Sequence, residues 1–338
     1  LGGNDNRTQP YDQIFAQRQI ASTFKPFLYA TALENGSLPC DYLDNERLVL
    51  TDFNNWQPHN YDHSTGGKYT MAASLAKSLN IPTVNLFLST PYEKLENLWQ
   101  RMGFSQDLIN KPSLALGTSN ASVYELAVAY AAFANGGFKV KPQAIVTIKT
   151  TDGKTLYANN SLKSTERVLD EENVAYINAM LQKAIHEGTG RSLKAKYGIT
   201  MPLAGKTGTS QDYADAWFAA YNPKLVLVTR VGASSPAIKF NSGSNGAGST
   251  LALPIVAKTL QQIQRSNWIK KTYITDFTKL PEELENQLIC EDYTEDTGLS
   301  KFFNSIFKKE ETTLERAKKR AERRANRKKR REERRQKQ

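Results

Sequence analysis

Apolar positions along the chain recur with two periods, and the switch between them lays out the elements. Phe27, Leu28, Ala30, Ala32 and Leu33 follow a helical period after Ser22 and stop at Asn35-Gly36, a pair suited to a left-handed helix end. The polar, Gln-, Asn- and Arg-rich residues 1–20 read as a loop leading into that helix. Residues 37–66, with Pro39, Pro58 and Gly66, keep no period and also read as loop. Helical spacing resumes near Thr70 with Met71, Ala72, Leu75 and Ala76. It predicts a helix that ends near Asn80, because Pro82 disfavours helical backbone at the residue before it.

Ser122-Val123-Tyr124-Glu125 is a capping-box pattern that opens a small-residue helix, closed by Asn135-Gly136-Gly137. Residues 143–158 alternate around Asp152-Gly153, which predicts a hairpin. Asp170 caps another amphipathic helix through Ala175, Ile177, Met180, Leu181 and Ile185, ended by Gly188-Thr189-Gly190. Strand-like runs follow at 203–209, 216–221 and 224–231, then a Gly/Ser/Asn loop and a last helix around 251–263. Helices before and after a group of sequential strands predict an α+β fold. Its sheet is expected to be mainly antiparallel, with about five strands covered by helices on both sides.

Composition changes this picture little, except at one end. With 338 residues, 39% of them hydrophobic, the chain has apolar surface for one large domain or two smaller ones. The formal net charge of +11 suggests nucleic acid until it is located. Residues 308–338 hold 16 Lys/Arg against 6 Glu, a net of +10, which leaves +1 for everything before. The near-neutral body argues against nucleic acid. That tail has no apolar stripe and is expected to be disordered or a solvated helix. Just ahead of it, Phe302, Phe303, Ile306 and Phe307 form an apolar face among lysines. This face and the tail are expected to touch an anionic membrane surface or wall polymer. The expected organisation is a domain over 1–270, a linker with a short amphipathic segment over 271–307, and the tail.

Cys40 and Cys290 match no metal spacing. They are expected as two unpaired thiols, with pairing in an oxidising compartment as the alternative. No apolar run approaches the roughly 18 residues of a membrane span, and no signal-peptide core is present. The chain opens on Leu1-Gly2-Gly3 without a methionine and is expected to be a fragment.

Candidate chemistry begins at Ala21-Ser22-Thr23-Phe24-Lys25-Pro26. A first helical turn puts Ser22 and Lys25 on one face, and a desolvated lysine can take a serine's proton. Alone the pair is weak, since Ser-x-x-Lys is common on helices with a solvated lysine. Ser78-Leu79-Asn80 adds a hydroxyl and an amide at a helix end. Lys206-Thr207-Gly208-Thr209 adds a strand with a mid-strand glycine, a mark of close approach by a ligand or another backbone. In this order the three match the pattern of serine acyl-transferring enzymes. His59 and His63 lie in a Pro/Gly-containing loop without a third ligand, so no metal is expected.

The chain resembles the transpeptidase domain of class A, bifunctional penicillin-binding proteins, in the serine β-lactamase/transpeptidase superfamily. The resemblance rests on Arg18-Gln19, Phe24-Lys25-Pro26-Phe27, the run 74–82, Leu116-Gly117-Thr118-Ser119, the run 126–137, Gly188-Thr189-Gly190, the run 205–209 and Asp215-Ala216-Trp217-Phe218. Ala21 departs from it, standing where the family has glycine. Ser-Leu-Asn in place of Ser-Asp-Asn favours a transpeptidase over a β-lactamase.

The resemblance implies the β-lactamase/transpeptidase fold and no cofactor. It implies that Ser22 attacks the carbonyl between two D-alanines of a peptidoglycan stem peptide, with Lys25 as base and Ser78 as proton relay. Asn80 would hold Lys25 and the substrate amide, while Lys206 adds positive charge. Thr207, Gly208 and Thr209 would take the terminal carboxylate, with the backbone N–H groups of Ser22 and Thr209 as oxyanion hole. A second stem peptide's amine would accept the acyl group, and β-lactams would inhibit by acylating Ser22. A preceding strand, a glycosyltransferase domain and a membrane anchor are implied for the longer protein, on the extracytoplasmic face of the bacterial membrane. Two alternatives stay open. One is a D,D-carboxypeptidase or β-lactamase-type hydrolase, although no dedicated deacylation glutamate stands out. The other is a non-catalytic β-lactam-sensing or scaffold domain.

Overall fold

The structure is a computed structural model, and it describes residues 7, 11–159 and 166–294. A short strand, β1 (Arg18–Gln19), leads to a 3-10 turn, Ala21–Phe24, which runs straight into α1 (Lys25–Glu34). Pro26 sits in the first turn of α1, where a missing N–H costs nothing. Nine of the ten residues of α1 are buried, so this helix has no solvent face and forms the centre of the domain. Phe27 anchors it, with the rings of Trp99, Phe104, Tyr130 and Phe133 at 5.2–5.8 Å.

The stretch expected as loop contains β2 (Tyr42–Asp44), paired antiparallel with β3 (Lys68–Thr70). Three helices follow: α2 (Met71–Lys77), α3 (Ile81–Ser89) and α4 (Tyr92–Arg101). The single helix expected from Thr70 to Asn80 is therefore corrected. It stops at Lys77 because Ser78 turns left-handed, at φ 60°. Pro82 belongs to the first turn of the next helix rather than terminating the previous one. Strand β4 (Asn120–Ala121) pairs with β1, and α5 (Val123–Ala134) opens on the expected capping box. There Glu125 N donates to Ser122 Oγ (3.1 Å) and Ser122 N donates to Glu125 Oε2 (2.8 Å). The expected hairpin is present as β5 (Thr147–Lys149) and β6 (Thr155–Ala158). Helix α6 (Glu171–His186) starts at Asp170, whose Oδ1 accepts from Asn173 N at 2.8 Å, and a short α7 (Ser192–Ala195) follows.

The main sheet is β7 (Ala204–Thr209), β8 (Asp215–Asn222) and β9 (Leu225–Gly232), antiparallel in that order. All eight residues of β8 are buried because the strand faces two cores. Trp217, Ala219 and Tyr221 join the larger core with α1, α5 and α6. Ala216, Phe218 and Ala220 join the smaller one with the long helix that closes the sheet's other face. That helix is α9 (Gly248–Arg265), preceded by the single turn α8 (Gly243–Gly246). The fold is thus α+β with helices on both faces of an antiparallel sheet. Among the described residues this sheet has three strands rather than about five, the other strands forming separate two-stranded pairs.

The cysteines correct a further expectation. Cys40 and Cys290 form a disulfide, their Cα atoms 5.1 Å apart across 250 residues of sequence. Only the tertiary fold brings them together. The segment expected as a linker from residue 271 is packed on the domain as far as Tyr293. It includes α10 (Ile269–Tyr273) and α11 (Glu282–Asn286). Asn222 Nδ2 donates to Tyr273 O (2.8 Å), Phe277 packs edge-on to Tyr221, and Tyr176 OH donates to Gln287 Oε1 (2.6 Å). The expected amphipathic segment at 302–307 and the basic tail at 308–338 lie outside the described residues. No helix among the described residues is long and apolar enough to cross a membrane.

Candidate active site

Ser22 is the second residue of the 3-10 turn, and Lys25 is the first residue of α1. In a 3-10 turn positions i and i+3 eclipse, so the two side chains share one face more closely than an α-helix would bring them. The turn is held from outside by Ile20 N donating to Ser119 O (3.1 Å) and Ala21 N donating to Gly117 O (2.9 Å). Ala21 has a left-handed φ of 50°, a conformation that costs a residue with a Cβ about 1–2 kcal/mol. The departure from glycine noted in the sequence therefore falls on the one residue of this turn whose backbone favours glycine. Gly117 is fixed by the same contact, since a Cβ there would lie 1.8 Å from Ala21 O.

Lys25 is fully buried. Its Nζ donates to Ser78 O (2.8 Å), Leu79 O (2.9 Å) and Asn80 Oδ1 (2.8 Å). Burial, and then the charge of Lys206, hold its pKa well below the ordinary 10.5. Three acceptors suit an ammonium with three N–H groups, while burial and the second cation disfavour one. Burial is complete and Lys206 is close, so the neutral amine is the form favoured relative to an exposed lysine. Ser22 Oγ makes no hydrogen bond to any described residue, and the structure does not join it directly to Lys25.

Ser78 connects the two lysines. Its left-handed backbone closes α2 and turns the carbonyl toward Lys25, while its Oγ accepts from Lys206 Nζ at 2.7 Å. Lys206 also donates to Thr207 O (3.1 Å), and burial lowers its pKa to about 7. Asn80, beginning α3, is oriented from behind by the loop before it: Asn80 Nδ2 donates to His59 O (2.7 Å) and Asn80 N to Asn60 Oδ1 (2.7 Å). Asn60 is buried, takes a second N–H from Ile81 (3.1 Å), and donates to Asn45 Oδ1 (2.7 Å) and Ser64 O (2.8 Å). No period or motif marked Asn60 in the sequence, because its role depends on a loop folding back on α3.

β7 is an edge strand, and its hydrogen-bond alternation decides what it offers. Ser210 N donates to Asp215 O (2.9 Å), which puts Ser210 and every second residue before it on the β8 ladder. The N–H and C=O of Thr207 and Thr209 therefore point away from β8, toward the side where Lys206 Nζ meets Thr207 O. Gly208 has no room for a side chain: a Cβ would stand 2.9 Å from Ile20 O and 3.1 Å from Thr23. The mid-strand glycine thus marks the approach of the Ser22 turn. Thr209 Oγ1 accepts from Gly248 N (3.0 Å), which leaves its own proton free, whereas the Thr207 hydroxyl is bonded to Thr189 Oγ1 (2.7 Å). Of the aromatics near these elements, Trp217 is core, donating Nε1–H to Gln19 O (2.9 Å), and Tyr61 is 68% exposed.

The model of the penicillin-binding protein transpeptidase domain matches residues 3–260. The chain belongs to that family. Penicillin-binding protein 1A of Rickettsia conorii is 31% identical over 280 residues, covering 75% of this chain and 35% of that protein. Its counterpart in Neisseria meningitidis is 31% identical over 264 residues, covering 75% and 32%. The chain spans about a third of the length of the curated relatives it matches. The fold is shared with the crystal structure of penicillin-binding protein 1A from Haemophilus influenzae, at a TM-score of 0.72 and 24% identity over 79% of this chain and 45% of that one. It is shared too with Mycobacterium tuberculosis PonA1 in complex with penicillin V, at 0.65 and 21% over 79% and 74%.

The candidate site residues singled out in the sequence lie on the elements just described or in the short turns that join them. Lys25, Ser78, Asn80 and Lys206 form one hydrogen-bonded cluster, and Ser22 lies on the turn beside it. Thr207, Gly208 and Thr209 form the adjoining edge. The residues missed were Asn60 and Asn45, each reached only through a tertiary contact, while Thr189 was marked only as part of Gly188-Thr189-Gly190.

Proposed function

We propose that this domain is a serine D,D-transpeptidase that joins peptidoglycan stem peptides through an acyl-enzyme on Ser22. The observation that carries the reading is the pair of buried lysines bridged by Ser78 beside Ser22. A neutral Lys25 has two N–H groups for its three acceptors, so one contact is given up and the lone pair becomes available to the Ser22 proton. The bond from Ser22 Oγ to the carbonyl between two D-alanines then forms as that proton moves to Lys25. General-base help of this kind is worth roughly 10²–10⁴ in rate. Ser78, with Lys206 donating to its Oγ, delivers its own proton to the departing D-alanine amine. It takes in turn the proton that Lys25 received from Ser22, which returns both groups to their starting forms.

The N–H of Ser22 lies at the start of a helical turn, where it has no intrahelical acceptor, and the N–H of Thr209 faces off the sheet edge. Together they suit the oxyanion, and loss of one such donor costs roughly 10²–10³ in kcat. Lys206, Gly208 and the free O–H of Thr209 suit the terminal carboxylate. An amine of a second stem peptide completes the transfer, and a β-lactam in place of the donor leaves Ser22 acylated. The disulfide supports an extracytoplasmic location, since such bonds persist where thiols are oxidised. An anchor and a glycosyltransferase domain in the longer protein fit the share of the relatives that this chain spans.

Labelling with a fluorescent penicillin, peptide mapping and washout test this. A long-lived adduct on Ser22, absent in Ser22→Ala, is expected. Rapid loss of label indicates a hydrolase, and no label overturns the assignment.

A further inference from the structure

The end of the main sheet away from the site is built from four short segments. Thr209 and Gly248 meet at the site, where α9 begins, and α9 then runs the length of the sheet. It has 18 residues, so its last turn stands about 27 Å from Gly248. There Gln261 Nε2 donates to Tyr197 O (2.8 Å) and Thr200 N donates to Gln264 Oε1 (3.0 Å), which fixes the α7 segment against the last turns of α9. Lys270 N donates to Ser266 O (3.1 Å), so α10 continues directly from α9. Asn222 Nδ2 donates to Tyr273 O (2.8 Å) and Asn222 Oδ1 accepts from Lys224 N (2.9 Å), which brings the β8–β9 turn to the end of α10. Tyr197, Leu225 and Ile269 pack into the smaller core beneath.

These segments carry Lys194, Lys196, Lys224, Arg265, Lys270 and Lys271. Lys270 is half-buried and the other five are exposed. None of the six pairs with a carboxylate among the described residues. The cause lies in the sequence: no Asp or Glu occurs at 188–211 or at 216–275. Of the flanking acids, Glu187 is taken by Lys183, and Asp276 follows α10. Elsewhere on the surface lysines are answered, as in Lys68–Asp44 and Lys239–Asp212. Trp268 stands in the middle of the six cations and is 81% exposed. Tyr273 and Ile274 are partly open beside it.

The acyl-transfer chemistry uses nothing at this end. Unpaired cations around an open indole call for an anionic partner, and the residue types say which. Contacts with protein deplete lysine and favour arginine, whereas five of these six cations are lysines. An anionic lipid surface attracts lysine as a point charge, and an indole sits at the level of the headgroups.

We propose that this basic, tryptophan-bearing end of the domain is a docking surface for an anionic lipid membrane. Seated there, the domain holds the Ser22 cleft at the opposite end of α9, facing away from the lipid. The proposal goes beyond the acyl-transfer reading and does not depend on it.

The test mixes the full chain with vesicles of phosphatidylcholine, alone or with phosphatidylglycerol, whose brominated acyl chains quench tryptophan. Trp99 and Trp217 are fully buried, and the contact is read as the part of the quenching that is lost in Trp268→Phe. Such quenching is expected only with phosphatidylglycerol. In the double variant Lys270→Glu, Lys271→Glu it should need about tenfold more lipid or more. Unchanged thermal melts show that these surface variants are folded. Co-sedimentation with anionic vesicles but without Trp268-dependent quenching puts the lipid contact elsewhere in the chain and overturns the proposal. Equal quenching on both lipids, or a lipid requirement unmoved in the double variant, overturns it as well. Binding of soluble polyglutamate that weakens in the double variant, with no quenching by lipid, assigns the surface to an acidic protein and overturns it too.

Discussion

Lys206 Nζ donates to Ser78 Oγ at 2.7 Å, and its charge lowers the pKa of Lys25, whose own Nζ donates to the Ser78 carbonyl. The acid limb of the acylation profile belongs to the protonation of Lys25, which the charge of Lys206 opposes. Lys206 lowers the pKa of Lys25, so removing that charge raises it. In Lys206→Gln the acid limb of penicillin acylation is expected to move to higher pH, whereas Lys206→Arg keeps it in place. Stopped-flow acylation across pH measures this, and an unmoved limb in the glutamine variant contradicts the coupling.

The same burial makes a stability statement. Lys206 has a pKa of about 7 in the folded chain against 10.5 for an exposed lysine, so between these values the unfolded chain binds more protons. Stability contributed by this site is therefore lowest below pH 7 and rises as pH climbs toward 10. Lys206→Met is expected to flatten that rise. Denaturant unfolding at pH 6.5 and 9.5 compares the two proteins.

Gly117 faces the carbonyl of Ala21 so closely that a Cβ would stand 1.8 Å from it, and its φ is +81°. Gly117→Ala must push the turn that carries Ser22. A displacement near 1 Å at a reacting group costs on the order of 10² in rate. The variant is expected to lose about that much penicillin acylation, beyond any drop in melting temperature. Circular dichroism with labelling kinetics separates the two effects.

Asn60 Oδ1 accepts the N–H groups of both Asn80 and Ile81. Asn60→Leu leaves those two donors without an acceptor, at about 1–3 kcal/mol for each group left buried. Asn80 then loses the contact that aims it at Lys25. Lower stability with slower acylation is expected, and Asn60→Asp, which keeps the acceptor, should recover part of both.

The disulfide closes a loop spanning 250 residues of separation. Its removal is expected to cost about 2–5 kcal/mol. Cys40→Ser with Cys290→Ser should melt well below the wild type and be indifferent to reductant, while the wild type should fall to the same level when reduced. The difference is read from thermal melts with and without dithiothreitol.

The sequence by itself determined the elements whose cause is local. The capping box at Ser122 and Glu125, the Asp170 cap and the three strands from Ala204 to Gly232 follow from hydrogen bonds and periodicities spanning a few residues. The order of Ser22-x-x-Lys25, Ser78-x-Asn80 and Lys206-Thr207-Gly208 identified the candidate site for the same reason, since each motif is short. The tertiary structure decided what depends on distant segments meeting. It closed Cys40 onto Cys290, set Asn60 behind Asn80, and broke the helix at Ser78 so that one residue faces both lysines. It also made Ala21 left-handed, because Gly117 holds the turn from a segment almost a hundred residues away. A burial, a charge on a buried amine or a strained φ is a property of what packs against a residue, and the chain reveals that only once it has folded.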